Sequence, residues 1–435
     1  MNKFLGCSLI GLCFFGMNSV ASTLELKPEN TQFIAKAAKY NVSQRNWDQA
    51  ANAAVTFPQA YQFTPHIEIL PIQHSWAQSW RGSLVNLLEL TASDLDGEHS
   101  LEVLLRDRLN NHSMVVVQKG KLLHQHFFNG FDANQTHLQM SVTKSFVAIL
   151  AAISVAEGKL DMSQRLIHYL PELTQSGFED VTVQEVADMR SGIGVAVADG
   201  KSWDPRMSAV QDWNGHSNDA EFENILDYAN ELENYRPIGK VYDYLDINTE
   251  VLAKVVERVQ GKPLAEVFAN KLWHRLGVEQ PARWMANRQG ELVASGGLNI
   301  STRDLARVGQ VLVNKGKNLA GEQVVPAAFI DSLLQGNDQV RHAWQQGKEA
   351  SLAKGWYQDQ FRTLYLSSHT GETYKVLAMV GIHGQVLIME PESQTVITMN
   401  SGFAEMQSTR MARLIFNQLV PAILDKVLAV EVNDK

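Results

Sequence analysis

The sequence predicts an α+β fold in which an antiparallel sheet is assembled from both ends of the chain, flanked by helices, with a mostly helical region inserted. Three observations carry this. Residues 114–117 and 122–128 are apolar or alternating runs that flank Gln118-Lys119-Gly120-Lys121, the pattern of a β-hairpin. Residues 361–365, 374–380, 386–389 and 395–399 are four more short strand-like runs joined by turns. Between these groups, residues 160 to 290 have a helical and looped character. The expected division is a leader over 1–21, an N-terminal extension over 22–106 with no assignable task, a sheet region over 107–160 and 290–435, and a helical insertion over 161–289.

The leader comes first. Lys3 precedes a nearly unbroken apolar run ending at Met17, and Ser19-Val20-Ala21 supplies the small residues that suit cleavage after Ala21. An uncleaved anchor is the alternative, but the run is short of the roughly 20 residues a spanning helix needs. Export to a periplasm or to the medium is therefore expected. Both cysteines of the chain, Cys7 and Cys13, fall inside this segment, so a mature chain would hold no disulfide, thiol nucleophile or thiolate metal site. A net charge of −9 argues against a nucleic-acid partner, which wants a basic face. No later segment is long and apolar enough to span a membrane, and oligomeric state cannot be read.

The remaining elements follow in order. Residues 24–65 are weakly periodic, and 130–139 are polar and turn-like. Spaced Val, Ile, Leu, Ala and Phe predict a mostly buried helix over 145–156, closed by Gly158. Further helices are predicted over 181–189, stopped at Gly192, and over 249–260, stopped at Gly261. Residues 195–220 are rich in Gly, Asp, Asn and Trp, a composition suited to a loop over a site, with Trp203 and Trp213 either lining a pocket or pinning the loop. A helix over 301–316 takes Ser301 or Thr302 as its cap and Asp304 in its first turn. Helix over 404–430, interrupted near Pro421, closes the chain.

The chemistry concentrates at Gln139-Met140-Ser141-Val142-Thr143-Lys144, where a polar segment turns into the long apolar helix. A serine needs a group to take its proton before it can attack. Lys144, three residues on, shares a helix face with Ser141, and burial would push an ammonium there toward neutrality. The free N–H groups of a helix start could hold developing negative charge. Spacing alone leaves the bland reading open, that both residues are the polar end of a buried helix; the same spacing recurs at Ser351 and Lys354 in a polar stretch. No H-E-x-x-H occurs, and His124 with His126 reads equally as a solvated pair or as two ligands, so no metal or cofactor is expected. There is no phosphate loop and no G-x-S-x-G elbow.

Ser141-Val142-Thr143-Lys144-Ser145-Phe146, Tyr242-Asp243-Tyr244-Leu245-Asp246, Gly296-Gly297-Leu298 before Arg303-Asp304-Leu305-Ala306, and Gly381-Ile382-His383-Gly384-Gln385 before Pro391 together resemble the class C β-lactamase-like serine hydrolases. The resemblance runs over roughly residues 107–419 and is nearest to the branch of 6-aminohexanoate-dimer (nylon-oligomer) hydrolases and related esterases. It implies a penicillin-binding-protein type of fold with Ser141 as acylated nucleophile, Lys144 as its base partner and Tyr244 as proton relay to the leaving group. It implies an oxyanion hole from the backbone N–H groups of Ser141 and Ile382. The strand that in β-lactamases carries Lys-Thr-Gly reads here Met379-Val380-Gly381-Ile382, without the gripping cation and hydroxyl. His369-Thr370-Gly371 is a second candidate for that strand, though it looks like a turn. Asp246 departs from the neutral residue usual there; it either holds Lys144 protonated and shifts base duty to Tyr244, or turns away to cap backbone. His383 either contacts substrate or supports the turn before Gly384. The implied activity is hydrolysis of small esters or linear amides. A β-lactamase or D-Ala-D-Ala peptidase is the alternative, and a non-catalytic peptide or cell-wall binding protein on the same scaffold is the second.

Overall fold

The Asn111–Gln118 strand sits near one end of a seven-stranded antiparallel sheet in the computed structural model, which describes residues 24–74, 85–195, 204–218, 220–406 and 408–433. The predicted leader therefore lies outside the described residues, as does Trp203. The sheet runs Lys354–Gln358, Phe361–Ser367, Thr373–Gly381, Gln385–Glu390, Thr395–Ser401, Asn111–Gln118, Lys121–Phe127. The front hairpin and the four rear strands thus meet where Thr395–Ser401 pairs with Asn111–Gln118. Gln118 pairs with Lys121, so the predicted hairpin turns on two residues, Lys119 (φ 47°) and Gly120 (φ 76°), both in the left-handed region such turns require.

Side chains alternate across this sheet, and both faces are covered. Val115, Val117, Leu387 and Val396 belong to one apolar cluster; Met114, Val116, Ile388 and Ile397 belong to another. The first face packs on the Thr302–Val313 helix, which approaches so closely at Gly309 that a Cβ there would stand 2.5 Å from Val396. Ser301 caps that helix by accepting from the Asp304 N–H, while the buried Asp304 carboxylate takes the N–H groups of Glu279 and Gln280. The second face packs on the C-terminal helices. Their interruption is a π-helical stretch, Leu414–Leu419, just before Pro421, whose missing N–H cannot continue the i to i−4 ladder, and the helix runs on as Val420–Asn433.

Several expectations need correction. The strand Lys354–Gln358 was hidden in a polar segment, and residues 130–139 are not wholly turn, because Thr136–Leu138 joins a second sheet. That five-stranded sheet, Leu26–Lys27, His66–Ile69, Ala282–Met285, Leu298–Ser301, Thr136–Leu138, draws on strands two to four residues long, too short to show a period. The helix expected over 181–189 is only Val183–Ala187, started by a Thr182–Glu185 capping box and ended where Met189 turns to φ 56°. The loop over 195–220 contains a helix, Pro205–Val210.

The extension that sequence left without a task packs on the loop and turn that frame the candidate site. Trp47 stacks with Phe63 and donates to the Trp213 carbonyl at 3.0 Å, and Asp48 accepts from Trp213 Nε1 at 2.7 Å and from Asn214. Phe57 stands edge-on to His383. His124 and His126 are neither solvated nor ligand-like: both are buried, bonded to each other at 3.0 Å and anchored on the Val85 carbonyl and on Asn111 Oδ1.

Candidate active site

The helix Thr143–Ala156 is buried in all but its last two residues, and it starts without a side-chain cap. A 3₁₀ turn, Met140–Val142, leads straight into it and presents Ser141 at its N-terminus. Met140 is held at φ 46°, an unfavourable conformation for a side-chain-bearing residue, directly before the candidate nucleophile. Lys144 Nζ donates to Ser141 Oγ at 2.9 Å, to the Ser295 carbonyl at 2.6 Å, and meets Asp246 Oδ1 at 2.6 Å. Three acceptors match the three protons of an ammonium.

Electrostatics follow from that arrangement. Burial by itself would lower the pKa of Lys144, whose side chain is 1% exposed, but the Asp246 carboxylate and then Tyr244 outweigh it and hold the pKa above the ordinary lysine value. Asp246 does not turn away: it opens the helix Asp246–Gln260 and pairs with Lys144. Its side chain is 41% exposed, so the pair straddles core and cleft. Tyr244 lies with Lys144 Nζ 5.1 Å from its ring centre and the Arg362 guanidinium 5.1 Å from it. Arg362 is itself held bidentately by Glu349, which also accepts from Tyr242. The structure brings Ser141, Lys144, Tyr244 and Asp246 together from two separate stretches of chain, 141–144 and 244–246.

Gly381 stands at the end of the Thr373–Gly381 strand, against the chain that leads into Ser141. A Cβ there would lie 2.5 Å from the Gln139 carbonyl oxygen, so only glycine allows the strand to come this near. Ile382, the next residue, accordingly begins its turn beside the start of the nucleophile helix, a geometry suited to pairing its N–H with that of Ser141. His383 is fully buried at φ 62°, with Nδ1 donating to the Phe403 carbonyl at 2.7 Å, which favours the supporting role over substrate contact. His369 is exposed in the turn after Phe361–Ser367, away from this strand end. Trp213 is pinned by Asp48, and its ring edge approaches Gly296, next to Ser295. We expect Gly381→Ala to fold yet lose about 10² in kcat/KM, the cost of an ångström-scale misplacement, as read from steady-state rates beside a melting curve.

Ser295, Glu250, Arg362 and Glu349 escaped sequence reasoning. Glu250 lies one helical turn beyond Asp246, fully enclosed, and its carboxylate accepts from the Ser295 and Ala294 N–H groups and from Gln211. It thereby fixes the segment whose carbonyl holds Lys144. Burial pushes its pKa from 4.5 up to about 7, against the lowering effect of those hydrogen bonds. A carboxyl raised in the folded state stabilises fully below its unfolded pKa, and that contribution is lost as pH rises through the folded value. Glu250→Gln should therefore gain on the wild type in melting temperature between pH 5 and 8; parallel melts at stepped pH measure the gap.

Among the described residues no group of three or more His, Cys, Asp and Glu side chains is gathered for a metal ion, and no helix is long and apolar enough to cross a membrane. Comparison with known proteins agrees with the geometry. Residues 106–418 match the family model described as Beta-lactamase. A 6-aminohexanoate-dimer hydrolase of Paenarthrobacter ureafaciens is 27% identical over 298 residues, covering 67% of this chain and 73% of that one. A Beta-lactamase of Providencia stuartii is 25% identical over 222 residues, 49% of this chain and 52% of its own. A provisionally named 6-aminohexanoate-dimer hydrolase from Bacillus anthracis superimposes with a TM-score of 0.78 at 22% identity, over 90% of this chain and 98% of that chain.

Proposed function

The chain belongs to the beta-lactamase family of serine hydrolases, and on that premise we propose that it hydrolyses small esters or linear amides through an acyl-enzyme on Ser141. The observation that carries this reading is the contact of Lys144 Nζ with Ser141 Oγ at 2.9 Å and with Asp246 at 2.6 Å. Ser141 attacks the carbonyl carbon, and the oxyanion is held by the Ser141 and Ile382 N–H groups. Because Lys144 is held as a cation, the proton moves through Tyr244: its phenol gives its own proton to the leaving group while its oxygen takes the proton of Ser141, so the tyrosine ends neutral. Negative charge that develops on the Tyr244 oxygen during transfer meets the cations of Lys144 and Arg362. Water then releases the acyl group by the same route in reverse.

Ester or linear amide is preferred over β-lactam for two reasons. Met379-Val380-Gly381 occupies the strand where a gripping Lys-Thr pair would hold a substrate carboxylate, and Asp246 adds an anion to the cleft beside Lys144. Charge-assisted hydrogen bonds of the missing kind contribute about 1.5 to 3 kcal/mol each. A p-nitrophenyl ester or the linear dimer of 6-aminohexanoate should accordingly exceed a cephalosporin in kcat/KM by at least about tenfold. A cephalosporin preferred over both would overturn the substrate reading in favour of a β-lactamase or peptidase. Export remains a proposal resting on residues 1–21 alone, and N-terminal sequencing of the mature chain tests it: a start at Ser22 is expected, and a retained Met1 would refute it.

A further inference from the structure

A cavity of about 300 Å³ opens further along the helix that bears Lys144. Its walls are Ala148 and Ala152 of that helix, Leu252 of the helix begun by Asp246, and Phe329 of Ala327–Gln335. These are apolar, and the short alanines of the helix are what leave the space. The volume equals that of about ten water molecules, enough for an unbranched chain of about eight carbons. Polar groups enter it at Gln184, Ser332 and Asp359.

Asp359 belongs to the two-residue turn between Lys354–Gln358 and Phe361–Ser367, and that turn is driven inward rather than exposed. Gln360 beside it is locked to the nucleophile helix by Ser145 Oγ, which donates to its carbonyl at 2.6 Å, and to Thr249. The Asp359 carboxylate takes one hydrogen bond on each oxygen, from Gln184 at 2.9 Å and Gln358 at 3.3 Å, so it retains free lone pairs. Arg190, whose charge acts on Asp359, is engaged by Asp188 at 2.8 Å, and among the described residues no ion pair reaches Asp359. Burial, together with the Asp188 carboxylate, pushes its pKa above the ordinary carboxylate range. A buried carboxyl at the rim of an apolar cavity, lacking a cation of its own, is complementary to an alkyl chain that carries one.

We propose that this cavity binds a small apolar amine, with the alkyl chain along Ala148, Ala152, Leu252 and Phe329 and the ammonium on Asp359. Its ligand is distinct from the substrate of Ser141, and the proposal stands whether or not that substrate is an ester. Calorimetric titration of the full protein with octylamine, octanol and octanoate tests it. Octylamine is expected to bind saturably and at least tenfold more tightly than octanol, with octanoate weakest. Asp359→Asn should bring the amine down to the alcohol. Ala152→Phe, which fills the cavity, should remove binding of both while leaving ester hydrolysis intact, so the location is decided even if the Asp359 variant fails to fold. Equal affinity of wild type for amine and alcohol, absence of saturable binding, or amine binding unchanged in folded Ala152→Phe would each overturn the proposal.

Discussion

Ser141→Ala is expected to lower ester hydrolysis by about 10⁴ to 10⁶, in line with removal of a nucleophile elsewhere, while the melting temperature stays within a few degrees of wild type. The rate falls because the hydroxyl that Lys144 Nζ meets at 2.9 Å, the attacking group of the proposed acyl-enzyme, is gone. Stability is spared because Ser141 is only partly buried, so water can replace Oγ as acceptor for the ammonium. Steady-state turnover beside a thermal melt separates the two effects. Undiminished turnover would move the chemistry away from this serine.

Lys144→Met carries the second large effect. Methionine keeps the stem and removes the cation that faces the charge developing on Tyr244, and hydrolysis should drop by roughly 10² to 10³, the usual worth of one electrostatic stabiliser. Two stability terms oppose each other. The buried Ser295 carbonyl loses its donor, at a cost of about 1 to 3 kcal/mol, whereas an enclosed cation no longer has to be kept out of water. Asp246 is exposed enough to be solvated once its partner is gone. The melt therefore moves little, and rate distinguishes the readings: if Lys144 were only the polar end of a buried helix, the variant would turn over normally. Acylation of Ser141 should slow along with turnover, because the proton moves through Tyr244 in both steps and Lys144 faces its oxygen in each.

What the sequence made legible follows from range. Ser141 and Lys144 are three residues apart on one helix, so their contact could be anticipated from spacing, and the front hairpin announced itself through Lys119-Gly120. Tyr244, Ile382 and Asp246 came only by resemblance, since nothing local joins them to Ser141. Asp246 could be narrowed to two roles, and the 2.6 Å contact with Lys144 excludes the one in which it turns away. Ser295 acts through a backbone carbonyl, which leaves no side-chain signature at all. Glu250 looked like one more charge on an amphipathic helix, because its burial depends on the Ser295 segment and on Gln211, both distant in sequence. The second sheet was missed because its strands are two to four residues long, and the extension was unassigned because Trp47 and Asp48 reach across to Trp213, more than 160 positions away.

The central claim is that acyl transfer passes through Ser141, and mass spectrometry of protein quenched during turnover of a p-nitrophenyl ester tests it most directly. The acyl mass should appear on the peptide that contains Ser141, in wild type at steady state and more slowly in Lys144→Met. Label on a different residue, or normal turnover with no acyl peptide formed at any time, would contradict it.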